Sequence, residues 1–344
     1  MKKFALLLLV VMLMSSFMVG CGEKAPELKV FNWGDYIDPS VLDEFEKETG
    51  IKVIYETFAT NEEMYVKIKQ GGSSYDVAMP SDYMIKKMLD EDMLEEINYD
   101  NVPNMDGIGD QYKNLGFDPE NKFSVPYMWG TVGVVYNKNM VEGTPDSWDI
   151  LWNEKYQGQI LMYDSQRDTM MVALKKLGYS MNTKNVAELE EAKELLLEQK
   201  PLVLAYVGDN VKPMMIGEEA AMAVVYSGEA VFMIEENSNL EYFVPKEGSN
   251  YWYDNMIIPK GAENKEAAEK FIDFMCRPDI ALKNVEYIGY STPVLETQEM
   301  LPEEVRTNDD SYPDLSKLNN MEIFLDPGDF IDEYNRIWTE FRAE

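Results

Sequence analysis

Aromatic rings and carboxylates recur together along this chain. They stand at Trp33-Gly34-Asp35-Tyr36, Pro80-Ser81-Asp82-Tyr83, Tyr163-Asp164-Ser165-Gln166-Arg167-Asp168, Tyr226-Ser227-Gly228-Glu229 and Tyr251-Trp252-Tyr253-Asp254. An ammonium removed from water must be paired with carboxylates, because desolvating it alone is prohibitive. Aromatic faces add a cation–π attraction of about 0.5–2 kcal/mol each. The same faces cover a methylene chain, so apolar walls with acidic ends suit a flexible, multiply charged alkylamine. Any one cluster also reads as a core ring beside a solvated acid. The recurrence of the pairing is what points to a ligand.

The missing residue types narrow the chemistry further. The chain has no histidine, which removes the commonest general base, the Ser-His-Asp triad and His-ligated metals. Cys276 therefore has no imidazole to pair with. Paired carboxylates such as Asp164 and Asp168 leave glycoside hydrolysis open as an enzymatic alternative. Against this scarcity stand 41 aromatic side chains, 21 of them tyrosine. The balance favours binding over catalysis, with no cofactor and no metal expected. Acidic side chains number 63 against 31 basic ones, a net charge of −32. Phosphate recognition needs the opposite sign, so nucleic acid is excluded as a partner. A cationic ligand would be attracted, although acidity also serves solubility.

These clusters fall where an α/β fold places ligands. Glu27 to Trp33 reads as a strand. Asp38-Pro39-Ser40 opens a helix that Gly50 ends. Ile51 to Phe58 is β-rich, Asn61 is positioned to cap a helix, and Tyr75 to Met79 is a short strand. Ser81 is positioned to cap the next helix. Phe123 to Tyr136 reads as two short strands and Trp148 to Tyr156 as a helix. Ile160 to Tyr163, Ala221 to Val225 and Asn255 to Ile258 read as strands. Helices are expected through Met170 and Leu174, over Val186 to Glu198 and Lys265 to Cys276, and in the amphipathic stretch Phe330 to Arg342. Strands alternating with helices argue for mostly parallel, doubly wound α/β sheets. Ligands in such sheets sit beyond the carboxyl ends of the strands.

The N-terminus adds a location. Met1-Lys2-Lys3, an apolar run from Phe4 to Met14 and Met18-Val19-Gly20-Cys21 form a secretory leader over residues 1–20. The cysteine after Gly20 resembles a bacterial lipobox, with Met18 where Leu is usual. Lipidation of Cys21 would anchor the mature protein to the outer face of the cell membrane through a tether at residues 21–27. Nothing after Cys21 approaches the roughly 18 uninterrupted apolar residues of a membrane span.

A family resemblance carries these expectations further. Asn32-Trp33-Gly34-Asp35-Tyr36, Glu48-Thr49-Gly50-Ile51-Lys52-Val53 and Tyr75-Asp76-Val77-Ala78-Met79-Pro80-Ser81 resemble stretches of the bacterial spermidine/putrescine-binding proteins. So do Pro126-Tyr127-Met128-Trp129-Gly130, Ser147-Trp148-Asp149-Ile150-Leu151-Trp152, Leu177-Gly178-Tyr179-Ser180 and Ile288-Gly289-Tyr290-Ser291-Thr292-Pro293. Each motif is weak alone; in this order they are specific. The resemblance implies a type II periplasmic-binding-protein fold, two doubly wound α/β lobes with the ligand in the cleft between them. It implies a polyamine ligand, delivery to the membrane permease subunits of an ABC importer, and a monomeric binding protein. By position it places Trp33, Asp35, Tyr36, Ser81, Tyr83, Asp168, Tyr226, Trp252, Asp254 and Tyr290 at the cleft. Asp35, Asp168 and Asp254 would pair with ammonium groups, while Trp33, Tyr36, Trp252 and Tyr290 would wall the methylenes.

Two departures leave the preferred chain length open. Spermidine-preferring members carry a further Asp where this chain has Ser165, and Trp where it has Tyr226. Glu229 is a candidate to replace the missing charge. The stretch from Met321 to Phe330 is too different to align with the family. A binding protein for another organic cation, for ferric ion or for a sugar is the alternative reading. The expected division gives residues 28–131 with 254–298 to one lobe, and residues 132–253 with 299–344 to the other. Chain crossings between lobes are expected near Trp129 to Val132, near Tyr251 to Asp254, and near Glu296 to Leu301.

Overall fold

The computed structural model describes residues 26–71, 74–208, 210–309, 311–313 and 317–344. The leader at residues 1–20, the lipidation at Cys21 and all but the end of the tether at residues 21–27 lie outside the described residues. Among the described residues, no helix is long and apolar enough to cross a membrane.

The strands are β1 (Glu27–Trp33), β2 (Lys52–Phe58), β3 (Val77–Ala78), β4 (Ser124–Asn137), β5 (Ile160–Tyr163), β6 (Val203–Val207), β7 (Met222–Tyr226), β8 (Leu240–Phe243) and β9 (Tyr251–Ile257). They bond in the order β2-β1-β3-β9-β4-β7-β5-β6, with β8 on β4. The helices of the first half are α1 (Pro39–Thr49), α2 (Asn61–Lys69) and α3 (Asp82–Asp90). Then come α4 (Gln166–Lys176), α5 (Val186–Gln199), α6 (Val211–Ile216) and α7 (Ser227–Glu236). The last are α8 (Lys265–Met275), α9 (Pro278–Ile288), α10 (Leu295–Met300), α11 (Glu303–Arg306) and α12 (Ile331–Ala343).

Local chemistry sets several of these boundaries. The Asp38 carboxylate accepts the Ser40 N–H at 2.8 Å, Pro39 opens α1, and Gly50 closes it at φ 72°. The α2 cap is Thr60 and not Asn61: the Thr60 hydroxyl accepts the Glu63 N–H, while the Asn61 carbonyl accepts the Ser81 N–H at 3.1 Å. Ser81 precedes α3, but its side chain caps nothing. The stretch expected as a helix from Trp148 is instead two 3₁₀ turns, Trp148–Trp152 and Glu154–Tyr156. Asn153 separates them, its side chain accepting the Lys155 N–H and so restarting the turn.

Four strand pairings are parallel: β1 with β2, β1 with β3, β5 with β6, and β5 with β7. The sheet is less parallel than expected, because β4 or β9 takes part in each antiparallel pairing. β4 is one strand where two were expected. Its residues from Ser124 to Thr131 pair with β9, and those from Val132 onward pair with β7 and then β8. All 14 of its residues are buried. Gly130 and Gly133 do not break it, because each marks a close approach. A Cβ at Gly130 would stand 2.7 Å from Trp252 Cζ2, and one at Gly133 would strike the Phe243 carbonyl oxygen.

Residues in and just after the stretch from Glu296 to Leu301 bond within the first strand group's neighbourhood. Thr297 still donates to the Pro278 carbonyl at 3.0 Å, and Tyr312 Oη accepts the Thr292 N–H at 3.2 Å. Asn320 and Glu322 bond to the other group, to Lys175 and to the Ser249 carbonyl. From there α12 packs Tyr334, Ile337 and Phe341 against α4 and α5.

Trp148 is fully buried, and its Nε1–H donates to the Gly248 carbonyl at 2.9 Å. Truncating such a ring costs about 3–5 kcal/mol. Trp148→Ala is expected to lower the unfolding free energy by that amount and Trp148→Phe by clearly less, as checked by equilibrium urea denaturation.

Candidate functional site

The end of the site at Asp254 is assembled from three elements. Asp254 is on β9, inside the strand and not before it as expected, so alternation aims it and Trp252 to one face. Ser81 bridges to Asp254 across the edge of β9, and its freed hydroxyl donates to Asp254 Oδ1 at 2.6 Å. Tyr36, three residues beyond β1, donates to Oδ2 at 2.7 Å. Burial holds the Asp254 carboxyl up at about 6, and the two hydroxyl bonds oppose that rise. Tyr36 is itself buried beside this acid, which raises its phenol and keeps it a donor.

A second carboxyl lies just behind. Asp82 opens α3, and its oxygens accept the Tyr83 N–H at 2.6 Å and the Tyr253 N–H at 3.1 Å. Burial pushes it up to about 8; the charge of Asp254 adds to the rise, and the two backbone bonds and Arg167 oppose it.

Asp168 forms the other end, on the first turn of α4. Ser165 is the N-cap, its hydroxyl donating to Asp168 Oδ2 at 2.6 Å. Tyr226, the last residue of β7, donates to the same oxygen at 3.0 Å. Asp168 Oδ1 is buried with no hydrogen-bond partner. Burial raises this carboxyl as well; the Ser165 and Tyr226 bonds and the Arg167 charge oppose it. No lysine or arginine nitrogen of the described residues lies within 4.0 Å of Asp82, Asp168 or Asp254.

Rings connect the two ends without a gap. Tyr36 meets Tyr290 edge-on at 5.6 Å, Tyr290 meets Trp252 at 5.1 Å, and Trp252 meets Tyr226 at 5.9 Å. The Trp252 Nε1–H, buried in this run, has no hydrogen-bond partner. Two glycines let the rings seat. A Cβ at Gly130 would collide with Trp252, and one at Gly228 would fall inside the Tyr290 ring.

Of the residues expected at the cleft, Tyr36, Ser81, Asp168, Tyr226, Trp252, Asp254 and Tyr290 are brought into this one path. Trp33 is bound into the sheet beside it, its indole N–H donating to the Met79 carbonyl at 2.8 Å. Tyr83 stands at the rim, bonded to Asn61 and Glu62. Glu229 accepts the Tyr226 N–H at 3.1 Å, which caps α7. Asp35 is exposed, in a left-handed turn at φ 45°, and no bond links it to the buried carboxylates.

Three further neighbours were not among the expected site residues. Tyr127 donates to the Tyr36 carbonyl at 2.7 Å and packs on that ring. Phe324 lies 6.4 Å from the Tyr83 ring and 4.5 Å from the Arg167 guanidinium. Asp326 reaches Lys87 of α3 at 3.6 Å. Tyr127 sits in a recognisable motif, but its orientation depends on the β-bulge between Pro126 and Met128. Phe324 and Asp326 fall in the stretch that did not align.

Fold and site define an extracytoplasmic solute-binding protein. The family model described as bacterial extracellular solute-binding protein matches residues 40–310, and the chain belongs to that family. It is 38% identical to the spermidine/putrescine-binding periplasmic protein of Salmonella typhimurium, over 92% of this chain and 91% of that one. It is 31% identical to the putrescine-binding periplasmic protein SpuD of Pseudomonas aeruginosa, over 100% and 99%. Among solved structures, a putative spermidine/putrescine ABC transporter protein from Listeria monocytogenes matches with a TM-score of 0.88 and 46% identity, covering 92% and 98%. The two-lobed periplasmic-binding-protein fold expected from the sequence is the fold found.

Gly228→Ala must push Tyr290 off Trp252 and wedge α7 away from the segment that carries Tyr290. Small-angle scattering is expected to show a larger radius of gyration than the parent with secondary structure intact; an identical profile would contradict it. The raised carboxyls also set a pH dependence. A carboxyl held above its ordinary value binds its proton more tightly folded than unfolded, so it stabilises at low pH and that stabilisation is lost as pH rises. For Asp82 the window runs from its ordinary 3.8 up to about 8, and for Asp254 from 3.8 to about 6. The ligand-free melting temperature is therefore expected to fall between pH 5 and pH 8, and to fall less in Asp82→Asn.

Proposed function

We propose that this protein captures a linear polyamine, putrescine or spermidine, outside the cell and delivers it to the permease subunits of an ABC importer. One observation carries the reading: two buried carboxylates, with no lysine or arginine nitrogen of the described residues within 4.0 Å, are joined by an unbroken run of aromatic rings. A buried carboxylate without a counter-charge is costly, and hydroxyl donors offset only part of that cost. A ligand with an ammonium at each end and methylenes between them supplies what the site lacks. Relatives named as spermidine/putrescine-binding and putrescine-binding proteins support the same choice.

In this reading Asp254 and Asp168 take the ammonium groups, and Tyr36, Tyr290, Trp252 and Tyr226 cover the chain. Asp35, which is exposed, would join only when the cleft closes on a ligand. The groups β2-β1-β3-β9 and β8-β4-β7-β5-β6 would act as two lobes, hinged where β4 changes partners between Thr131 and Val132 and where β9 begins. Closure would exclude water and strengthen each ion pair. The protein would work as a monomer held at the outer membrane face by lipid on Cys21. The relatives are transport binding proteins, and binding without catalysis is the role proposed for this chain.

Calorimetric titration with putrescine, spermidine, spermine and 1,4-butanediol tests the reading. The amines are expected to bind and the neutral diol not to. Asp254→Asn breaks a buried pair, which costs about 3–5 kcal/mol, or roughly 100-fold or more in affinity. Equal binding of the diol, or an unchanged affinity in Asp254→Asn, would refute it.

A further inference from the structure

Asp82 is assigned no part in holding the ligand, yet it is placed against the group that does. The segment Ser81-Asp82-Tyr83 lies alongside Tyr253-Asp254 through the Ser81–Asp254 bridge. Ser81 reaches Asp254, and Asp82 reaches back to the Tyr253 N–H. The two carboxyls thus stand on paired segments, one turned into the site and one behind it. Asp82 is 1% exposed. Its neighbours from β9 are Tyr251, Tyr253 and Asp254, from α3 Tyr83, and from α4 the Arg167 guanidinium. That guanidinium donates through its two terminal nitrogens to the Leu325 carbonyl and the Asn182 side chain and lies over the Phe324 and Tyr334 rings, while its buried Nε–H has no partner; its charge lowers Asp82 only in part, and Asp82 stays raised. Two acids so close in a dry setting do not both ionise easily without a positive charge at hand.

We propose that Asp82 is a specificity-determining residue that acts through Asp254: it gives up its proton to bulk water when an ammonium group docks at Asp254. The cost of two adjacent buried charges is then met only by a ligand that is itself charged. A neutral isostere leaves Asp82 protonated and that end of the site half-neutralised. The inference rests on the polyamine reading and extends it from which atoms touch the ligand to how the site rejects uncharged molecules. The burial that lifts Asp82 to about 8 agrees with a protonated carboxyl at neutral pH in the free protein. Asp254, at about 6, is already mostly ionised at pH 7. An alkylammonium titrates near 10.4 and holds its proton throughout, so protons released at pH 7 come from the buried carboxyls, and Asp82→Asn separates the share of Asp82 from that of Asp168 and Asp254.

The experiment titrates the full chain with putrescine at pH 7 in phosphate and in Tris, buffers of low and high ionisation heat. The difference in binding heat counts the protons released. The parent is expected to release more than about half a proton per ligand, and Asp82→Asn less than half the parent's number while keeping its affinity within about tenfold. Equal heats in both buffers for the parent, or undiminished release in the variant, would overturn the proposal. Should Asp82→Asn fold poorly, the parent alone decides: its affinity should rise about tenfold from pH 6 to pH 8 and level off above, and a flat profile would overturn the proposal. Absence of any putrescine binding would sink the polyamine reading, whereas binding without proton release sinks only this inference.

Discussion

Asp254 and Asp168 have been taken out of water with no lysine or arginine of the described residues in ion-pair contact, and much of the surrounding structure serves to make that tolerable. Burying a carboxylate costs several kcal/mol even after relaxation. Each hydrogen bond to a charged group returns about 1.5–3 kcal/mol. Tyr36 and Ser81 donate to the first acid, and Ser165 and Tyr226 to the second. Two donors per acid leave a deficit, which is why burial still raises both carboxyls. The orphaned Oδ1 of Asp168 and N–H of Trp252 belong to the same account of unfinished polar groups. A site in this condition gains more from an arriving cation than one already neutralised by lysine or arginine.

The rings and the glycines answer a second constraint, that the acids be joined by a surface without competing polar groups. Tyr290, Trp252 and Tyr226 come from separate parts of the sequence and meet edge to face. They can do so because Gly130 and Gly228 present bare backbone where any side chain would collide. Tyr226 belongs to β7, and Trp252 to β9, on opposite sides of the point where β4 changes partners. The hydrophobic run and the change of partners are therefore coupled. Tyr226 and Trp252 thus meet across the boundary between the two strand groups. Phe324 and Asp326, on the returning segment, reach Tyr83 and Lys87 on α3 and add a second tie across the same gap.

What was legible in the sequence follows the range of the interactions that decide it. β1 and α1 were readable because a cap, a proline and a left-handed glycine settle them within a dozen residues. β4 was not, because its glycines look like breaks until Trp252 and the Phe243 carbonyl are set against them. Thr60 took the cap from Asn61 because Asn61 had a distant partner in Ser81. The rings and acids of the site were visible as residue types, and most were brought together. Asp35 was not, since its left-handed turn leaves it exposed at the end of β1. Asp82 was quoted as one more acid in a cluster; only the backbone of Tyr253, far along the chain, makes it a buried group.

The net charge of −32 works over a different range from these buried acids. Exposed charges are screened beyond about 8 Å at physiological salt, so the surface field assists encounter and weakens as salt rises. Asp82, Asp168 and Asp254 lie inside, where screening is slight and the effective dielectric is low. Capture rate should therefore depend on salt through the surface, while discrimination between charged and uncharged ligands should not. A surface of this sign on an otherwise ordinary pocket would attract cations without holding them. Holding requires that the protein be less comfortable empty than full, and the buried carboxylates create that condition.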